Sequence, residues 1–340
     1  MTSSLPRKPD YFIAKLRDLH TLMRDNLRGQ LARSSVAELS AVTEERDGDT
    51  IFRIDEKGEA VLFAFCEAWG REMPFALVCE GVPGNGVRMF PEDAGAADAA
   101  FRMIVDPIDG TRGLMYDKRS AWILTGIAPN RGDATRLSDI EVAMQTEAPT
   151  TKQHLADLLY AVRGQGATGE RHNLLTGDIA PLPLVPTREK SVRHGFAMIS
   201  KFFVGAKETL ARVEEALFEA ALGPPTDGNP LVFDDEYICT GGQLYELMVG
   251  HDRFNADLRP LVHAAAGLQG EAARLCCHPY DLATELIARE AGVILTDETG
   301  APLDAPLDIS HDCNWIGYAN EHIRSELEPT LLKLLRDLSG

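Results

Sequence analysis

Six residues, DPIDGT at 106–111, constrain this chain more than any other part of it. They follow directly on the apolar run FRMIV (101–105), so a buried strand delivers acidic side chains into the crevice at its end. Asp106 and Asp109 are separated by a stiffening proline, and two carboxylates held that close repel unless a cation lies between them. Hard divalent cations such as Mg²⁺ take oxygen ligands, typically one or two carboxylates per ion with waters and substrate phosphate. The Ile108 carbonyl offers one more oxygen, and Gly110 admits close backbone approach. The N–H groups of Gly110 and Thr111 suit a phosphate. Taken alone, the segment reads equally as a reverse turn, because Asp-Pro and Asp-Gly pairs are ordinary turn formers.

Two other acidic positions share its grammar. FALVCE (75–80) is a second apolar run ending in an acid, Glu80, before the glycine-rich VPGNG. Asp281 directly precedes the helical pattern LATELIAREA. Each has a plain alternative: Glu80 as a solvated strand end, Asp281 as a helix N-cap. Their occurrence in order with DPIDGT favours a shared metal site.

Around these points the chain reads as alternating elements. Phe12, Leu16, Leu19, Met23 and Leu27 recur every three or four residues, predicting a helix over about 10–28. A second helix is predicted from Asp55 to Trp69, with Val61, Phe65 and Ala68 inward, and TEERDGDT (43–50) between the two reads as a loop. WILTGIAP (122–129) and IEVAMQT (140–146) read as strands, and 151–162 as a helix. The proline-rich GDIAPLPLVPTREK (177–190) is the junction between an α+β half, 1–180, and an α/β half, 181–340. In the second half HGFAMIS is a strand, KETLARVEEALFEAAL a helix, and YICTGGQLYELMVG a strand, glycine turn and helix. DLATELIAREAG is then a helix, VILTD a strand, and Glu321 to Leu338 a last amphipathic helix.

Composition excludes several classes. With 34 basic against 52 acidic residues, the net charge of −18 argues against a nucleic-acid polymer or an anionic membrane surface as partner. Six cysteines without a CxxC pair point to reduced thiols. MTSSLPRKPD lacks the apolar core of a signal peptide, and no apolar run reaches the roughly 18 residues of a membrane span. The expectation is a soluble, cytoplasmic protein.

MIVDPIDGT (103–111), VCEG (78–81), IDEKGE (54–59) after DGDT, and YDLATELIAREAGVILTD (280–297) together resemble the inositol monophosphatase and fructose-1,6-bisphosphatase superfamily of metal-dependent, lithium-sensitive phosphatases. The match runs from about residue 10 to 300. The resemblance implies a layered αβαβα sandwich of the sugar phosphatase type, two or three Mg²⁺ ions, and a homodimer. It implies Glu80, Asp106 and the Ile108 carbonyl on one metal, and Asp106, Asp109 and Asp281 on another. A third, looser ion leans on Glu80, and Thr111, bonded to Asp55, orients or deprotonates the attacking water. The implied activity is hydrolysis of a small phosphomonoester: inositol or sugar phosphates first, then fructose 1,6-bisphosphate, then a 3′(2′),5′-bisphosphate nucleotide. A catalytically silent metal-binding regulator on the same fold is the rival from another class.

The departures matter for specificity. Gly81 stands where relatives often carry a second acid, Tyr280 where they carry tryptophan, and Arg112-Gly113 follows Thr111. Arg112, Lys201, Gly241, Gly242 and Arg253 are candidate substrate contacts, with Arg193, His251 and Arg259 as further basic or imidazole groups. Cys276, Cys277 and His278 raise a zinc reading, but no second Cys or His pair at ligand spacing accompanies them.

Overall fold

The computed structural model describes residues 4–46, 49–205, 207–224, 228–268 and 276–339. Helix α1 (Pro9–Arg33) starts on a proline, whose missing N–H costs nothing at that position, and buries Phe12, Leu16, Leu19, Met23 and Leu27 as its spacing requires. Burying five such side chains contributes on the order of 10 kcal/mol before conformational entropy is counted. A short α2 (Val36–Leu39) leads into a hairpin, β1 (Val42–Arg46) and β2 (Asp49–Phe52), paired antiparallel. Residues 43–46 and 49–50 of the acidic segment are therefore paired strands rather than loop, since Thr50, Ile51 and Phe52 are good strand formers. Asp47 and Gly48 of the DGDT segment lie outside the described residues.

Helix α3 (Arg53–Glu72) packs beside α1, and its buried stripe is Ile54, Leu62, Cys66 and Trp69. Val61 and Phe65 are only half-buried and Ala68 is exposed, which corrects the expected inward face. The two stripes have the same spacing, so periodicity alone does not choose between them. Trp69 decides, closing an aromatic cluster with Phe12, Phe75 and Phe101.

An eight-stranded sheet follows: β3 (Phe75–Cys79), β4 (Val87–Phe90), β5 (Phe101–Asp109), β6 (Ala121–Pro129), β7 (Val142–Ala148), β8 (Leu155–Val162), β9 (Ala167–Asn173) and β10 (Ile179–Leu182). Its order is β10-β9-β8-β7-β6-β5-β3-β4, antiparallel except for the β3–β5 pair. Residues 155–162 are thus a strand, not the expected helix. LADLLYAV is rich in helix formers, yet β7 and β9 bond both its edges and α8 (Glu285–Ala291) covers one face, so tertiary pairing overrides propensity.

The second sheet has order β11-β12-β14-β13, from β11 (Phe196–Ile199), β12 (Asp252–Asp257), β13 (Ile294–Thr296) and β14 (Trp315–Tyr318). Between the sheets lie α8 and α6 (Thr240–Met248). The far face carries α5 (Lys207–Leu222), α7 (Arg259–Ala265) and α9 (Glu321–Ser339), while α1 and α3 cover the first sheet; a five-residue α4 (Thr111–Met115) follows β5. The architecture is an αβαβα sandwich, as the resemblance implies. The expected strand at YIC is absent: α6 begins at Thr240, with Gly241 and Gly242 inside its first turn. Among the described residues no helix is long and apolar enough to cross a membrane.

Candidate metal centre

The site begins with an irregularity in β5. Between Asp106 and Asp109 its ladder to β6 slips: Asp106 faces Leu124 and Asp109 faces Trp122, three steps on one strand against two on the other. Residues three apart on a regular strand point to opposite faces, and one extra residue returns the second to the first one's side. The segment read as a turn is thus a bulge that aims both carboxylates toward the middle helical layer. Both are nearly fully buried, Asp106 at 3% and Asp109 at 5% exposure. Gly110 closes the bulge in the left-handed region, φ 97°, where a side chain would be strained.

Asp281 meets them from far along the chain. It does not cap α8, which begins at Glu285 after Thr284. Instead its Oδ2 accepts the His278 N–H at 2.6 Å, and its own N–H donates to the His278 carbonyl at 3.1 Å, bracing a tight turn. Gly126 of β6 lets that turn close on the sheet: a methyl there would lie 2.7 Å from the Ala283 carbonyl. Oxygen atoms of Asp106, Asp109 and Asp281 consequently lie within 4.8 Å of one another.

Glu80 extends β3 one residue past its last register pair with β5, Cys79 with Val105, and so stands beside Asp106. Thr111 Oγ1 lies 2.8 Å from the Ile108 carbonyl and 3.1 Å from Asp55 Oδ1, sharing its one proton between two acceptors. The other oxygen of Asp55 accepts the Phe52 N–H at 2.9 Å, which fixes its rotamer at the start of α3.

The electrostatics match this crowding. Burial, then the charges of Asp109 and Asp281, hold the Asp106 carboxyl well above its ordinary range. Burial and Asp281 do the same to Asp109, partly offset by the N–H groups of Gly241 and Thr240. Asp281 is pushed up to about 6 by burial, against the pull of His278 and Arg259. Two buried carboxylates, the half-buried Asp281 and a carbonyl form an all-oxygen set that a hard divalent cation fits, and protein N–H groups compensate only part of its charge.

Several contributors escape a reading of motifs. Gly241 N donates to Asp109 Oδ2 at 2.5 Å, so the start of α6 is anchored on a site acid, and a methyl at Gly241 would meet that oxygen at 2.8 Å. Gln145 of β7 joins both walls: its Nε2 donates to the Gly241 carbonyl at 2.8 Å and its Oε1 accepts from Thr284 Oγ1 at 2.9 Å. A polar residue inside the apolar AMQT run was the available signal.

Gly241 of the substrate candidates is at the site, with Gly242 next to it. Arg112 follows Thr111, its guanidinium 5.8 Å from the Phe52 ring and 5.3 Å from that of Phe203. Lys201 is instead engaged by Glu214, Asp234 and Glu236. Arg253 donates to the carbonyls of Ser191 and Arg193, at the end of β12 about 13 Å along the strand from Asp257. Arg259 is buried against Asp257, His251 pairs with Glu246, and Arg193 holds the Leu222 carbonyl. These cations brace the fold. All six cysteines are buried thiols, and Asp106, Asp109 and Asp281 form the metal-ligand cluster found among the described residues.

No protein-family model matches the sequence, and no curated protein matches it. Solved structures do match its fold. The fructose-1,6-bisphosphatase of Leishmania major in its holo form superposes over 98% of this chain and 96% of its own, with TM-score 0.63 at 13% identity. The inositol monophosphatase of Thermotoga maritima covers 96% of this chain and 98% of its own, with TM-score 0.58 at 15% identity. The extragenic suppressor protein SuhB of Bartonella henselae covers 93% and 98%, with TM-score 0.59 at 17% identity. The chain therefore has the fold of the inositol monophosphatase and fructose-1,6-bisphosphatase superfamily.

Proposed function

We propose that this protein is a Mg²⁺-dependent phosphomonoesterase acting on a small phosphorylated polyol or sugar. The observation that carries the reading is the Asp106, Asp109 and Asp281 cluster, brought together from distant parts of the chain, its charge partly offset by N–H groups, His278 and Arg259. Glu80, Asp106 and the Ile108 carbonyl hold one cation, and Asp106, Asp109 and Asp281 another. When bound, the cations mask phosphate charge, lower the pKa of a coordinated water and stabilise the leaving oxygen. The chain's own groups do the positioning. The Thr111 hydroxyl passes its proton toward Asp55, 3.1 Å away, leaving its oxygen to accept a proton from the attacking water. The Gly110 and Thr111 N–H groups would meet the phosphate, and Arg112, beside the Phe52 and Phe203 rings, would contact the substrate. Buried thiols suit a reducing cytoplasm, and the resemblance suggests a homodimer.

The test is phosphate release over a panel of phosphomonoesters with and without Mg²⁺. The panel includes inositol and sugar phosphates, fructose 1,6-bisphosphate and 3′,5′-bisphosphate nucleotides. Asp109→Asn is expected to abolish turnover with the far-UV spectrum unchanged. Full activity in that variant would sink the metal assignment, and no release from any substrate would favour a silent metal-binding regulator.

A further inference from the structure

The loop that leaves β11 carries two adjacent phenylalanines, Phe202 and Phe203, before an exposed Val204. Both rings are only half-buried, so core packing does not account for them. Their partners are cations. The Arg259 guanidinium lies 4.5 Å from the Phe202 ring and 5.4 Å from that of Phe203, and the Arg112 guanidinium lies 5.3 Å from Phe203. One loop ring thus serves two arginines that come from different elements, α4 and α7.

The Phe203 ring is itself held in place. Phe202 meets it edge-on, with centroids 4.9 Å apart and planes at 83°. Arg259 is fixed by Asp257 of β12, its Nε 2.8 Å from Oδ1. Lys201, at the root of the loop, is gripped by Glu214, Asp234 and Glu236. Arg112 stands on a five-residue helix directly after Thr111, and its other ring, Phe52 at 5.8 Å, belongs to the residue whose N–H holds Asp55. A chain of contacts therefore runs from the second sheet through Phe203 to Arg112, and on to the start of α3, where Asp55 and Thr111 meet at 3.1 Å. An arginine side chain is rich in rotamers, and one ordered in advance loses less freedom when it meets a ligand.

Resting on the reading of the proposed function, in which Arg112 contacts the substrate, we infer that Phe203 is a positioning residue that sets substrate affinity by holding the Arg112 guanidinium. It acts on binding and not on the hydrolytic step. A cation over an aromatic face supports a change of about 3- to 30-fold in affinity.

The probes are inositol 1-phosphate and fructose 1,6-bisphosphate, with phosphate release from the full chain followed at saturating Mg²⁺. Phe203→Leu keeps apolar bulk and loses the ring. It is expected to raise KM about 3- to 30-fold, with the loss in KM rather than in kcat. Phe203→Tyr keeps the ring and should retain the parent KM. With Arg112→Gln already in place, Phe203→Leu should leave KM where Arg112→Gln alone puts it, because the group that the ring positions is gone. Additive losses would mean that the ring acts through loop packing alone, and they overturn the inference. So does an unchanged KM in Phe203→Leu, or a tyrosine variant as weak as the leucine one. A parent that releases phosphate from neither compound is a different failure: it removes the proposed function, and the inference with it.

Discussion

Asp281→Asn should make the metal-free protein more stable while removing most of its response to Mg²⁺. The Asp281 carboxyl is pushed from 3.8 up to about 6 in the folded protein. That is about two units, each worth ~1.4 kcal/mol, so the ionised group costs the native state roughly 3 kcal/mol. The sign is opposite to that of a salt-bridged aspartate. Between pH 4 and 6 the native state binds more protons than the unfolded chain, so stability falls as pH rises through this window and then levels off. Asparagine removes the charge, and its Oδ1 still accepts the His278 N–H that Asp281 holds at 2.6 Å. Urea unfolding in EDTA at pH 8 should show a gain of roughly 3 kcal/mol, and thermal unfolding a rise of roughly 5 °C. The gap should close toward pH 4. Mg²⁺ at about a hundred times its dissociation constant stabilises the parent by ~2.7 kcal/mol, and the variant should gain far less. A variant no more stable than the parent in EDTA at pH 8, or a gap that persists at pH 4, refutes the claim that uncompensated charge strains this site.

Two further substitutions probe the groups around the acids. Thr111→Val removes the hydroxyl bonded to Asp55 and the Ile108 carbonyl, and should lower kcat about 100-fold with KM nearly unchanged; an unaltered kcat removes Thr111 from water positioning. Gly241→Ala places a methyl 2.7 Å from Leu124 Cδ2 and 2.8 Å from Asp109 Oδ2. It should cost about 1–3 kcal/mol in urea unfolding and weaken Mg²⁺ binding measured by calorimetry, and a neutral result in both would contradict the close approach of α6 to Asp109.

What was legible in the sequence, and what was not, follows from how far each feature depends on contacts distant in the chain. The acids announce themselves because each ends an apolar run or precedes a helical pattern: Glu80 after FALVC, Asp106 after FRMIV, Asp281 before LATELIAREA. The αβαβα layering came from the resemblance, and structure neighbours share it. Bulge geometry was hidden, because DPID satisfies turn chemistry and only the ladder to β6 reveals the extra residue. The strand at 155–162 was hidden too, since its partners β7 and β9 are tertiary facts. Lys201 and Arg253 read as available cations because nothing local shows their partners, which lie 13 or more residues away for the side-chain bond to Glu214 and 62 for that to Ser191. Gln145 went unread for the same reason: its amide bonds a glycine on another element.

The three aspartates are not equally braced, and this decides where metal-free repulsion is released. Asp106 and Asp109 end β5, which is bonded to β6 out to Asp109 on one edge and to β3 over 102–105 on the other. Asp281 sits in a turn held by short-range bonds such as Leu282 N–H to Pro279 and Ala283 N–H to Tyr280, each 3.2 Å. Opening such a turn costs less than opening a strand paired on both edges, so the turn is where the charge should be relieved. Amide hydrogen exchange in EDTA against saturating Mg²⁺ should therefore show strong added protection at 279–284 and little at 101–105. Equal added protection in both segments would mean that the cation steadies the whole sandwich rather than docking one turn against a finished sheet. The second half would then be as rigid without metal as the first, and the Asp281 carboxylate would have no local escape from its neighbours.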